Sequence, residues 1–107
     1  MAAEGETFDP TIPPGQPSQT AYTLQVAEPV VSNDLLGEPR FSVPAMIVEH
    51  GLHRGLSVPV PERSGARHVI IVHGHAKDRP FTVEDVRFLE AVAHVIAGAL
   101  DLSLIHI

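Results

Sequence analysis

Cysteine is absent from the 107 residues. With it go disulfides, thiolate metal sites, iron–sulfur clusters and cysteine nucleophiles. No apolar run approaches the roughly 20 residues that a membrane-spanning helix needs. Nothing at the start reads as a secretory signal. There is no glycine-rich phosphate loop, and Ser57 and Ser64 have no local base motif, so no hydrolase-type site is visible. Glu84 and Asp85 are adjacent and diverge on a helix, so they do not form a catalytic carboxylate pair. Lys and Arg are missing altogether from residues 1–39, which hold six acidic residues. The net charge of −6 argues against a nucleic-acid partner. The expectation is a soluble, cytoplasmic, non-catalytic domain without a membrane segment. A chain of this size buries roughly 65% of its unfolded surface, enough for one modest core.

What is present is unevenly placed. Seven of the ten prolines lie at or before Pro44, and all seven histidines lie at or after His50. From Arg40 onward acids and bases balance at seven each. Residues 1–17 read as a coil-like arm, punctuated by Asp9-Pro10, Pro13-Pro14-Gly15 and Pro17. Ser18 is placed to cap a short helix from Gln19 to about Val26. Val30-Val31-Ser32 is a short strand candidate, and residues 34–40 form a polar loop. Ser42-Val43-Pro44 marks a helix start, with either Ser42 or Val43 as the cap. That helix runs to Gly51, a natural terminator.

Two strands follow. Gly55 to Val60 carries Leu56, Val58 and Val60 on one face at period two. Pro59 and Pro61 demote its far end to an edge or bulge. His68 to Gly74 is apolar in its middle and reads as a central strand covered on both faces. Residues 63–66 form the turn of an antiparallel pair. Thr82 and Asp85 form a weak capping box for a long helix, Val83 to about Leu100. Its apolar residues fall in two stripes. One is Val86, Leu89, Ala93, Ile96 and Leu100. The other is Phe88, Val92, Val95 and Ala99. The second stripe is either a homodimer seam or part of a well-buried helix.

These pieces, in this order, resemble a GAF domain, with the nearest likeness to GAF domains of bacterial sensor histidine kinases. The likeness covers residues 18–101. It rests on Ser18 to Leu24, Glu28-Pro29-Val30-Val31, Asp34-Leu35 with Arg40-Phe41, Glu49-His50-Gly51 and Gly55 to Val60. It continues through Val69 to His73, Arg79-Pro80-Phe81-Thr82 and Asp85 to Leu89. The resemblance implies an α+β fold: an antiparallel sheet flanked by helices, ending in a long C-terminal helix. The family's first helix and first two strands have no counterpart, so the likeness is to a domain truncated at both ends. Residues 102–107 match the translation of a sequencing-library adaptor and read as a non-native tail.

The resemblance also implies a function: sensing of an unidentified small molecule, with relay through a dimer to an output domain. A pocket between the sheet and the short helices would be lined by Met46, Leu56, Val58, Ile71 and His73. No cofactor is expected. Bilin attachment needs a cysteine in most members, and so do the methionine sulfoxide reductases of this fold. His50 and His53 match an axial haem position only approximately. Lys77, Phe81 and Asp85 match part of a cyclic-nucleotide signature, but Ala76 and Val86 break it. His73-Gly74-His75 with Asp78 faintly matches a metallohydrolase motif in the wrong register, beside Lys77 and Arg79. A ligand-free dimerisation module and a small histidine-dependent metal protein remain the alternative functions.

Overall fold

The computed structural model describes residues 16–105, with side chains to Leu102. Most of the coil-like arm, and residues 106–107, lie outside it. The element order is α1 (Gln19–Val26), β1 (Val30–Ser32), α2 (Ala45–Glu49), β2 (Leu52–Pro59), β3 (Val69–His75) and α3 (Val83–Ile105). A single 3₁₀ turn, Leu35–Gly37, stands between β1 and α2.

Local chemistry sets most boundaries. Ser18 caps α1 by accepting the Ala21 N–H at 3.1 Å. The helix ends at Ala27, whose left-handed φ of 58° turns the chain into β1. Pro44 occupies the cap position of α2 and offers no side-chain bond. The cap is therefore neither Ser42 nor Val43. Gly51 follows α2 at φ 75°, a conformation that glycine adopts without Cβ strain. The start of α3 is a closed box: Thr82 N–H donates to Asp85 Oδ2 at 2.8 Å, and Asp85 N–H reaches Thr82 Oγ1 at 3.5 Å. The helix runs to Ile105, past the expected end near Leu100.

The three strands form one antiparallel sheet in the order β1-β2-β3. β2, not β3, is the central strand, so the expectation of a central His68–Gly74 strand was wrong. A continuous apolar run indicates burial but not which neighbour supplies it. In β3 most side chains are only half-buried, and Val72 is exposed. The far end of β2 also differs from expectation. Val60 N–H donates to His68 C=O, so Val60, Val58 and Leu56 bond toward β3. Alternation turns Pro59 toward the β1 side. There β1 already stops at Val30, opposite Ser57. Its missing N–H therefore costs no ladder bond.

Period two also divides the sheet into two faces. Leu56, Val58 and Val60 pack against Leu89, Ala93 and Ala97 of α3, with Val31 and Ile70 alongside. Each of the buried Leu and Val side chains contributes on the order of 1.5–3 kcal/mol. Ala97 takes the place expected for Ile96, which is partly exposed. On the opposite face a second cluster joins Val30, Leu35 and Phe41 with Tyr22, Val43 and Ile47. The result is three layers: the short helices, the sheet, and α3. Asn33 and Arg54 tie the layers together at one end. Asn33 exchanges two bonds with the Phe81 backbone, at 2.9 and 3.3 Å. The Arg54 guanidinium bridges Asn33 C=O and Ala76 C=O at 3.0 and 2.9 Å.

Candidate ligand-binding site

On the short-helix face, α1, the Leu35–Pro44 segment, α2 and β3 line a half-open cavity of about 170 Å³. Leu35, Phe41, Val43, Pro44, Ile47 and Ile71 supply its apolar wall. Ser18, Gln19, Thr20, Ser42 and His73 supply the polar remainder. The parity of the sheet decides who lines it. Ile71 lies opposite Ser57, and His73 opposite Gly55. All four therefore face the cavity side.

Behind the cavity is a buried polar triad. Gln19 Nε2 donates to Ser57 Oγ at 3.0 Å. Thr23 Oγ1 donates to Gln19 C=O at 2.7 Å, which leaves it to accept from Ser57 Oγ, also at 2.7 Å. Gly55 leaves room for the Gln19 amide: a Cβ there would lie 2.6 Å from Gln19 Oε1.

Of the residues expected at a pocket, Ile71 and His73 line this cavity. Leu56 and Val58 do not. They are fully buried under α3 on the opposite face. Met46 is 62% exposed, and its neighbour Ile47 turns inward instead. Gln19, Phe41 and Ser57 were not singled out from sequence. The signal for Ser57 and Gly55 was available: small residues alternating with large ones mark the opposite face of β2.

His73 also borders a second, polar cleft with Gly74, Asp78, Arg79, Phe81 and Asp85, at the start of α3. Burial pushes the His73 imidazole below its ordinary pKa, which favours the neutral ring. Across the cleft Arg79 grips Asp85 with two bonds of 2.7 and 2.8 Å. That guanidinium holds the Asp85 carboxyl well below the usual carboxylate range. Beside the cavity Arg40 stands over the Phe41 ring at 5.7 Å. It is clasped by Glu38 at 2.7 Å and pulls the Glu38 pKa down to about 2.

The other histidines are apart from this site. His50 caps α2 and bonds Met46 C=O through Nδ1 at 2.8 Å. His53 falls at the irregularity in the β2–β3 pairing. His75 abuts Gly51. Among the described residues, no three His, Asp or Glu side chains are grouped to hold a metal ion. None of the described helices is long and apolar enough to cross a membrane. The second α3 stripe faces away from the sheet, with Phe88 and Val95 71% and 74% exposed. Val92 is half-buried and Ala99 exposed.

Comparison with curated proteins finds no match in sequence. Among solved structures, the GAF domain of a phosphoenolpyruvate-protein phosphotransferase from Coxiella burnetii superposes with a TM-score of 0.67. The two are 18% identical over 83% of this chain and 52% of that one. The GAF domain of a two-component sensor histidine kinase from Bacillus halodurans gives a TM-score of 0.66 at 17% identity. That match covers 89% of this chain and 63% of its counterpart. The chain thus spans between half and two thirds of the length of these structures, and the likeness is one of fold. The family model for the GAF domain matches residues 2–101. The chain therefore belongs to the GAF domain family.

Proposed function

We propose that this chain is a non-catalytic sensory and regulatory module of a bacterial signal-transduction protein. A small molecule held between α1, α2 and β3 biases the geometry of α3. Two copies pair through Phe88, Val92, Val95 and Ala99, and the change in α3 passes to an output domain. No resident cofactor is required, and the module works in the cytoplasm.

The observation that carries this reading is the cavity and its shared wall. His73 borders both the apolar cavity and the cleft where α3 begins. A shift of β3 at His73 therefore has a short route to Asp85 and the first turn of α3. The dimer half of the reading rests on spacing. Phe88, Val92, Val95 and Ala99 recur at intervals of four, three and four, the period of a helix–helix seam. A dimerisation module with no ligand is the second reading, supported by the same exposed stripe. A histidine-dependent metal site would need a third ligand beside His73 and His75, and among the described residues no such group of three is found.

Sedimentation equilibrium tests the pairing. The parent chain associates as concentration rises, and Val95→Glu stays monomeric with an unchanged circular dichroism spectrum. A parent that remains a strict monomer at high concentration removes the relay.

A further inference from the structure

The lining of the cavity is informative about charge. Eleven residues form it, and none is Lys, Arg, Asp or Glu. The guanidinium over Phe41, that of Arg40, is already paired with a carboxylate: it bonds Glu38 at 2.7 and 3.0 Å and Val31 C=O at 2.8 Å. The chain as a whole carries a net charge of −6. An anion entering the cavity would shed part of its hydration and meet no cationic side chain in the lining.

The polar side chains of the lining are mostly occupied. Ser18 Oγ accepts the Ala21 N–H, Ser42 Oγ donates to Gln16 Oε1, and the Gln19 amide donates to Ser57. The Thr20 hydroxyl and the His73 ring make no hydrogen bond to other described residues. His73 sits on the edge strand, with Ile71 two residues before it and facing the same way. Thr20 and His73 are therefore the lining side chains whose polar atoms are left for a ligand.

Size narrows the choice further. A dry cavity of about 150 Å³ lined by aliphatic and aromatic groups is enough for benzene. The 170 Å³ here matches one ring, or a compact fused pair, of about six to ten non-hydrogen atoms. Nucleotides and tetrapyrroles are much larger.

We propose that the cavity selects small, neutral, mainly apolar molecules of one or two rings that carry a single hydrogen-bonding group, and rejects carboxylates and phosphates. The polar group meets His73 and Thr20, and the ring lies against Phe41, Ile47 and Ile71. This selectivity rests on the sensory reading of the same cavity and gives it a ligand class.

The experiment titrates the ¹⁵N-labelled full chain with benzyl alcohol, benzoate and inorganic phosphate, and follows backbone amide shifts. Benzyl alcohol and benzoate share a ring and nearly the same size, so charge is the variable. Benzyl alcohol is expected to shift Phe41, Ile47, Ile71 and His73 saturably. Benzoate is expected to bind those residues at least about tenfold more weakly, and phosphate not at all. Ile71→Phe fills the chamber from β3, and Ile47→Phe fills it from α2. Whichever variant keeps the parent's far-ultraviolet spectrum should lose the benzyl alcohol response.

Benzoate or phosphate binding as well as benzyl alcohol at these residues overturns the selectivity and leaves the sensory reading standing. Benzyl alcohol binding that leaves every α3 amide unmoved upholds the selectivity and overturns the relay. Binding undiminished in both filled variants, or no response to any probe, overturns the proposal.

Discussion

Gly55 is the most demanding position behind the cavity, and replacing it with alanine gives a quantitative test. Its φ is not in the left-handed region, so the backbone itself accepts alanine. The obstacle is Gln19. The new Cβ would meet Oε1 at 2.6 Å, where ordinary contact begins at 3.4 Å. The amide oxygen must retreat by about 0.8 Å, which strains the bond its Nε2 makes to Ser57 at 3.0 Å. Losing that buried bond costs about 1–3 kcal/mol. The stiffer unfolded chain returns about 0.4–1 kcal/mol. The net expectation is a loss of about 1–2 kcal/mol, or a fall in Tm of roughly 5–15 °C for a domain of this size. Thermal unfolding by circular dichroism reads it. The partner measurement is Gly55→Ala combined with Gln19→Ala, which removes the clashing group. The two changes should couple favourably by about 1 kcal/mol or more. A Gly55→Ala protein as stable as the parent, or two strictly additive effects, would refute the packing described behind the cavity.

Three further outcomes follow from single features. Ala27→Gly should raise stability by up to about 1 kcal/mol, because alanine is held at a left-handed φ that glycine tolerates; a lowered Tm contradicts this. Asn33→Ala removes both bonds to the Phe81 backbone, so amide exchange in the first turn of α3 should speed up while that of Leu89 changes little. Glu38, drawn down by Arg40, has a folded-state pKa below its unfolded one. Its contribution is complete above the ordinary carboxylate pKa and fades as pH falls toward about 2. Glu38→Gln should therefore flatten the loss of Tm with acidification in that window, and parallel curves for the two proteins would contradict it.

Local signals were legible in the sequence. Ser18 marked the start of α1, Val30–Ser32 proved to be a strand, and Thr82 with Asp85 built the box that opens α3. Each of these depends on neighbours within a few residues. Arrangement across the sheet was less legible. The Val69–Val72 run looked central because apolar runs look alike wherever they lie, yet β3 is an edge. The cavity showed the same limit. Leu56 and Val58 are the large residues of β2, and size drew attention to them. They belong to the α3 core, while the smaller Gly55 and Ser57 face Gln19. His73 and Ile71, expected at a pocket only through the family resemblance, do border the cavity. The buried link from Gln19 to Ser57 spans 38 residues, and no local spacing encodes it. The long helix fell between these cases. Its two stripes were visible, and packing shows that the sheet covers only one of them.

The absence of cysteine makes the central claim directly measurable, because a single introduced thiol can be labelled alone. Arg87 is exposed on α3, away from both apolar stripes. Spin labels on Arg87→Cys report the separation of the two α3 helices in a paired assembly by double electron–electron resonance. The account predicts one interspin distance distribution without cavity ligand, and a shifted one when benzyl alcohol saturates the Ile71 and His73 amides. An identical distribution in both states, with the cavity demonstrably filled, would contradict the coupling of cavity to helix.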